Sequence, residues 1–328
     1  MHIKDVTISK KILDWYDFNK RKLPWRKKTS FKQKQYFTLV SEFMLQQTQV
    51  TTVVPYFNRF IKDIPTLEKL SNTSNRKLIK LWEGLGYYSR VRNLKKAAKI
   101  IKKKFNNKLP DNFFELKSLP GIGDYTANAI LAIVFNIPVI PLDGNVERVL
   151  KRYLYLKKKN EIVKESLNQK KKIFTKSNRP GDYAQALMEL GATVCKPLNP
   201  LCNQCPIFKN CKSFIRKDFS MRKAIKRNIN KYFLIKVYKH NNNYLLIKNT
   251  EFNFLKNLNI FPMDEIVNQK NFNSNLNFKM SNMNMNIQFI FKKFNKKIPF
   301  SYWIDPQNIK KYILPTFTKK IINFLEHY

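Results

Sequence analysis

The chain has 328 residues, room for two domains with a core each. Its 63 Lys and Arg against 22 Asp and Glu leave a formal charge of +41, which suits a polyanionic partner, and 14% aromatic residues exclude a disordered basic tail. Lys and Asn are used throughout, so part of that charge is general composition, and charge alone does not separate DNA from RNA or an anionic membrane. The N-terminus lacks an apolar run of signal-peptide length, and the most apolar stretch, residues 127–139, is too short to span a bilayer and is broken by Asn136 and Pro138. A cytosolic, reducing setting without membrane follows as the expectation.

Ile8, Ile12, Trp15 and Tyr16 recur at helical spacing and predict a helix over residues 9–20, ended by Leu23-Pro24-Trp25-Arg26. A Lys-rich loop to about Gln35 is expected next, then a helix carrying SEFMLQQTQV from Ser41 to Val50. Glu42 stands among Val40, Phe43, Met44 and Leu45. Held against apolar neighbours its carboxyl loses solvation of the charged form, and its pKa rises towards that of a neutral-pH general acid. A solvent-facing Glu one step off the apolar stripe fits the periodicity equally well. Helices are predicted over 51–61 and 75–83. Gly84-Leu85-Gly86-Tyr87-Tyr88 then turns the chain into a basic helix through Arg90, Arg92, Lys95 and Lys96. This is either a capped helix end with packed tyrosines or an aromatic offered to bases with cations on phosphate.

The most informative stretch is Leu119-Pro120-Gly121-Ile122-Gly123-Asp124-Tyr125, between a helix over 113–118 and another from Tyr125. Gly121 and Gly123 are expected to take positive φ and admit close backbone approach, and the amides opening the second helix suit a phosphate. Some twenty residues on, Asp143 stands at the mouth of the next helix, before the turn pair Gly144-Asn145. Further helices are predicted over 162–174 and 182–194.

All four cysteines fall in Cys195-x6-Cys202-x2-Cys205-x5-Cys211, which in a reducing compartment argues for one metal centre. Zinc usually takes two C-x2-C pairs, and only one is present. The wider gaps suit a [4Fe–4S] cluster better. Beyond a basic linker, 216–231, short β-type runs follow at 232–238, 244–247 and 287–294, with a closing helix over 318–325. Residues 271–286, rich in Asn, Met and Ser, read as a loop.

The helix-hairpin-helix, the aspartate and the cysteine spacing together resemble the helix-hairpin-helix DNA glycosylases, over about residues 23–211. Endonuclease III-like members carry a Schiff-base lysine where Tyr125 stands here. Tyrosine there, with Ser41–Val50, Gly84–Arg90 and Leu142–Val146, resembles the adenine DNA glycosylase (MutY) family. The resemblance implies a mainly α chain: a catalytic region over 1–215, with a six-helix barrel and a structural [4Fe–4S] cluster on Cys195, Cys202, Cys205 and Cys211. A degenerate α+β Nudix-like domain over 232–328 would follow.

The implied activity is monofunctional removal of adenine opposite 8-oxoguanine or guanine in double-stranded DNA, by a monomer. Glu42 would protonate adenine N7 and Asp143 would face the oxocarbenium-like sugar, with Tyr125 and Asn145 positioning them. Trp25, Arg26, Leu45 and Glu189 would line the base pocket. Gln47 and Tyr87 would enter the stack, and Gly121 and Gly123 would meet the backbone. The family's Phe-Ser-His loop, which touches the oxidised guanine, is matched here only by Phe291-Lys292-Lys293, leaving Lys292 and Lys293 facing DNA. A bifunctional lyase and a degraded DNA-binding protein are the competing readings.

Overall fold

The computed structural model describes residues 3–156, 177–220, 228–267, 272–294 and 301–327. The helix expected over 162–174 lies outside them. The chain divides into two compact units: Met1–Ser74 with Ser89–Arg222, and Asn75–Tyr88 with Lys223–Tyr328.

The first unit is helical: α1 (Ile3–Asn19), α2 (Phe31–Leu45), α3 (Val50–Asp63) and α4 (Leu67–Asn72), then α6 (Ser89–Phe105), α7 (Phe113–Ser118), α8 (Asp124–Ile133), α9 (Gly144–Leu154), α10 (Pro180–Thr193) and the short α11 (Lys212–Ile215). The helix α5 (Asn75–Leu81) belongs to the second unit. The expected loop to Gln35 is shorter than read. Ser30 caps α2, its hydroxyl accepting from Gln33 N, so the helix starts at Phe31 despite the lysines. Nearly the whole of α2 from Gln35 to Met44 is buried, so it crosses the interior rather than lying on it. α1, α9 and α10 share a core of Ile12, Tyr16, Val146, Leu150, Tyr183, Leu187 and Leu190.

The second unit holds β1 (Ile229–His240), β2 (Asn243–Lys248), β3 (Asn259–Ile260), β4 (Met263–Ile266), β5 (Leu276–Met280), β6 (Met283–Lys292) and β7 (Ser301–Ile304), in a mixed sheet of order β3-β2-β1-β6-β5, with β4 on β1 and β7 on β2. Its spine is β1 (Ile229–His240), which runs parallel to β6 (Met283–Lys292) and turns through Asn241-Asn242 into β2 (Asn243–Lys248). Both turn asparagines have positive φ, as a tight two-residue hairpin requires. Phe233, Ile235 and Val237 alternate inward to a core that Phe317, Ile321 and Ile322 of the last helix, α12 (Thr316–His327), close. α+β is the result, as expected.

Residues 271–286 correct the sequence reading. Within them β5 (Leu276–Met280) pairs antiparallel with the start of β6 through Met280 and Met283. Leu276, Phe278 and Met280 pack on the core while Asn277 and Lys279 face out, so the period of two was present under an asparagine-rich surface.

Candidate active site

The residues singled out by the hairpin and the acidic positions meet at one cavity of about 380 Å³ in the helical unit. Its walls include Arg21, Trp25, Arg26, Glu42, Leu45, Gln47, Tyr125, Asp143, Asn145 and Met188. They come from several separate elements, so the site is assembled by tertiary packing and not by one motif.

Glu42 sits inside α2 and is 5% exposed. This decides between the two readings of its helical position. Burial pushes its carboxyl up to about 7; the Tyr125 hydroxyl beside it pulls down, the Asp143 charge pushes up, and Arg26 pulls down. One of its oxygens has no hydrogen-bond partner. Tyr125, in the first turn of α8, is itself raised well above an ordinary tyrosine by burial and by the Glu42 and Asp143 charges. Its hydroxyl also approaches Met188 Sδ at 3.9 Å. It is a neutral hydrogen-bonding group, and among the described residues no lysine lines this cavity.

Asp143 caps α9. Its Oδ1 accepts from the backbone N–H groups of Asn145 (2.9 Å) and Val146 (2.7 Å), and its Oδ2 from Asn145 Nδ2 (2.9 Å). Asn145 is held in turn by Arg148, which donates to Asn145 Oδ1 (2.9 Å) and to the carbonyls of Gly191 (2.6 Å) and Cys195 (2.7 Å). The carboxylate is therefore fixed by its own helix and by a guanidinium reaching the chain that enters the cysteine loop.

Glu189 lies elsewhere than expected. It is fully buried and absent from the cavity wall, with Arg21 bridging both its oxygens and Arg26 donating to Oε2 at 2.8 Å. Burial pushes its carboxyl up, but the two arginines outweigh this and hold it below an ordinary Glu. Both of its arginine partners line the cavity. Sequence reasoning missed Arg21, because its partner is 168 positions away. Trp25 is set by an edge contact with Phe57, ring centroids 5.3 Å apart.

The hairpin differs from expectation at one glycine. Gly121 has φ +85°, and a Cβ there would come within 2.7 Å of the Phe43 ring. Gly123 is extended, at φ −97°, and caps α8 without any side-chain bond, so it needs no left-handed conformation. Gln46 Nε2 donates to the Gly121 carbonyl (3.2 Å), tying the hairpin to the turn after α2. That turn carries Gln47, exposed and at φ +56°. Buried Arg90 supports it by donating to the carbonyls of Met44 (2.7 Å) and Gln46 (2.6 Å), closing the C-terminus of α2.

Tyr87 belongs to the second unit, at φ +47° and 45% exposed, while Tyr88 is buried. Lys292 ends β6 and Lys293 follows it, both exposed.

Cys195 follows the end of α10, Cys202 opens a short 3-10 turn, and Cys205 and Cys211 follow. Arg152, 3% exposed, donates to Cys195 Sγ (3.4 Å) and to the carbonyls of Lys196 (2.6 Å) and Pro197 (2.9 Å). Among the described residues no three His, Cys, Asp or Glu converge tightly enough for a single metal ion. Cys205 nonetheless feels the charges of Cys195, Cys202 and Cys211, Cys202 those of Cys195 and Cys211, and Cys211 that of Cys195.

Residues 40–173 match the family model described as HhH-GPD superfamily base excision DNA repair protein. The adenine DNA glycosylase of Buchnera aphidicola subsp. Baizongia pistaciae is 40% identical over 259 residues, 76% of this chain and 72% of that one. The rat adenine DNA glycosylase is 42% identical over 65% of this chain and 43% of its own. The chain belongs to the adenine DNA glycosylase family, hydrolases of the N-glycosidic bond. Solved structures share the fold: a thermostable thymine-DNA glycosylase (TM-score 0.57, 24% identity, covering 64% of this chain and 95% of that one) and an endonuclease III–DNA complex (TM-score 0.53, 22% identity, 66% and 99%).

Proposed function

We propose that the substrate is adenine mispaired with 8-oxoguanine or guanine in duplex DNA, removed by acid-assisted hydrolysis after the nucleotide is flipped from the stack. Extrusion is required because the glycosidic bond is out of reach within the duplex. The observation that carries the reading is that Glu42 and Asp143 line one cavity in opposite environments: one is buried with a raised pKa, the other is held by three donors. Such a division suits a proton donor and an anionic stabiliser.

Protonated Glu42 would give its proton to adenine N7, so that the base leaves neutral. Asp143 would sit against the positive charge developing on the sugar, where a preorganised carboxylate is most effective. Tyr125 hydrogen-bonds to Glu42 and partly offsets the rise that burial gives its carboxyl. Arg21 and Arg26 would read the purine edge with five-donor forks aimed by Glu189. Gln47 and Tyr87 would fill the gap left in the stack. Single-turnover release of adenine from A:8-oxoG, A:G and A:C duplexes tests the whole assignment; absence of release from all three would sink it.

The four cysteines fit a [4Fe–4S] cluster better than a lone zinc ion. A buried guanidinium at Cys195 Sγ suits a net-negative thiolate cluster, and the sulfurs are neighbours without converging on one point. The cluster's contribution would be structural, tying residues 195–211 into a loop on the DNA. Purified protein is expected to be brown, absorbing near ~400 nm as thiolate-ligated iron does. Metal analysis finding zinc and no iron would overturn this.

Lys292 and Lys293 offer charge, which phosphates accept regardless of the opposing base. Relative to family members with the Phe-Ser-His loop, selectivity for A:8-oxoG over A:G is expected to be lower by about ten- to a hundredfold, with binding more salt-sensitive. Strong A:8-oxoG preference persisting in Lys292→Ala/Lys293→Ala protein would put recognition elsewhere.

A further inference from the structure

Residues 75–88 lie in sequence between α4 and α6, yet they cluster with the C-terminal residues. One side chain explains much of the attachment. Glu83, 10% exposed, follows α5. Its Oε1 accepts from Lys319 Nζ (2.8 Å) in α12 and from the backbone N–H of Leu314 (3.2 Å), and its Oε2 from Lys80 Nζ (2.8 Å). Lys80 also donates to the Lys310 carbonyl (3.3 Å). Burial pushes the Glu83 carboxyl up, but Lys319, Lys80 and Leu314 together hold it below the ordinary range. A single anion thus gathers α5, the approach to α12 and the first turns of α12.

The four residues after Glu83 form the turn that presents Tyr87. Gly84, Gly86 and Tyr87 have φ of +97°, +76° and +47°. A tyrosine in the left-handed region is unfavourable and persists only where its surroundings hold it. Trp82, fully buried, donates from Nε1 to the Gly86 carbonyl (3.2 Å), and Leu85 and Tyr88 are buried on either side. The Tyr87 ring therefore stands on a braced turn whose foundation is Glu83.

We propose that Glu83 is a positioning residue that latches the Tyr87 turn to residues 310–319, so that the C-terminal domain sets where the Tyr87 ring enters the base stack. The domain then contributes to mispair recognition through a residue of the glycosylase sequence, even where its own base contacts have been lost. This rests on Tyr87 acting in the stack, as proposed above.

A double-mutant cycle decides the matter. Glu83→Gln, Lys319→Met, Tyr87→Ala and the two doubles with Tyr87→Ala are compared on a duplex carrying A:8-oxoG with 2-aminopurine beside the lesion pair. Glu83→Gln and Lys319→Met are each expected to weaken mispair binding about tenfold and reduce the 2-aminopurine signal, since one stacked aromatic contributes about ten- to a hundredfold. In the Tyr87→Ala background both losses should vanish, because the latch then holds nothing that reaches the DNA. Losses of equal size in both backgrounds, or none in either, overturn the proposal. If Glu83→Gln melts the domain, Lys319→Met leaves Glu83 with Lys80 and Leu314 and carries the cycle alone. A wild-type protein that fails to release adenine sinks the functional reading instead, whereas an active enzyme with an additive cycle sinks only the latch.

Discussion

Replacing Glu42 by glutamine is expected to lower single-turnover adenine release by about 10²- to 10⁴-fold, the range general acids supply, with duplex affinity nearly unchanged. The amide keeps the shape of the side chain but carries no proton to give. With the carboxyl at about 7, wild-type release should be flat at acidic pH and fall about tenfold per unit above pH 7; the variant should lack that limb. The substitution should have the opposite effect on stability. The folded chain keeps a proton on Glu42 that the unfolded chain surrenders near the ordinary value of 4.5, so wild-type stability declines as pH rises from 4.5 to 7. The decline is of order 3 kcal/mol. Glu42→Gln removes it, so the variant should melt higher than wild type at pH 8 and show little difference at pH 4. Release within tenfold of wild type would make Glu42 a bystander, and equal melting at pH 8 would mean that its carboxyl is not raised in the folded chain.

What could be read from sequence depended on whether a residue's partners were near in the chain. Asp143 was legible because its donors lie two and three positions on, the signature of a helix cap. Glu42 was only half legible. α2 is buried on nearly every side, so periodicity gave it no face to be on, and the decision came from helices packing around it. Arg21 and Glu189 are 168 positions apart, and the ion pair that sets Arg21 at the cavity has no local trace. The same holds for Glu83 and Leu314, 231 apart, which is why residues 75–88 read as part of the helical region. The hairpin of β5 and β6 was hidden for another reason. Its outward positions are asparagine and lysine, and its inward ones include methionines that belong to no strong strand pattern, so composition concealed a regular alternation.

Asp143→Asn is expected to abolish release to a similar degree while leaving the fold in place. Asparagine caps helices about as well as aspartate, so its oxygen can still accept from the Asn145 and Val146 amides, and melting should shift by less than about 1 kcal/mol. The other terminus is where the change tells. Where Oδ2 accepted from Asn145 Nδ2, an amide nitrogen would now face another donor. Asn145 cannot resolve this by flipping, because Arg148 holds its Oδ1 and is itself fixed on the Gly191 and Cys195 carbonyls. The variant therefore loses both the negative charge facing the sugar and the orientation that aimed it. Loss of preorganised charge alone accounts for about 10²- to 10³-fold, and displacement of the side chain adds to it. Asn145→Ala should give a smaller loss in wild type, since the charge remains, and almost none in the Asp143→Asn background, where there is no carboxylate left to hold. Measured release from A:8-oxoG duplexes in the two singles and the double, with thermal melts alongside, separates the cases. Release by Asp143→Asn within tenfold of wild type would remove Asp143 from the chemistry, and full additivity with Asn145→Ala would show that Asn145 acts on the substrate directly.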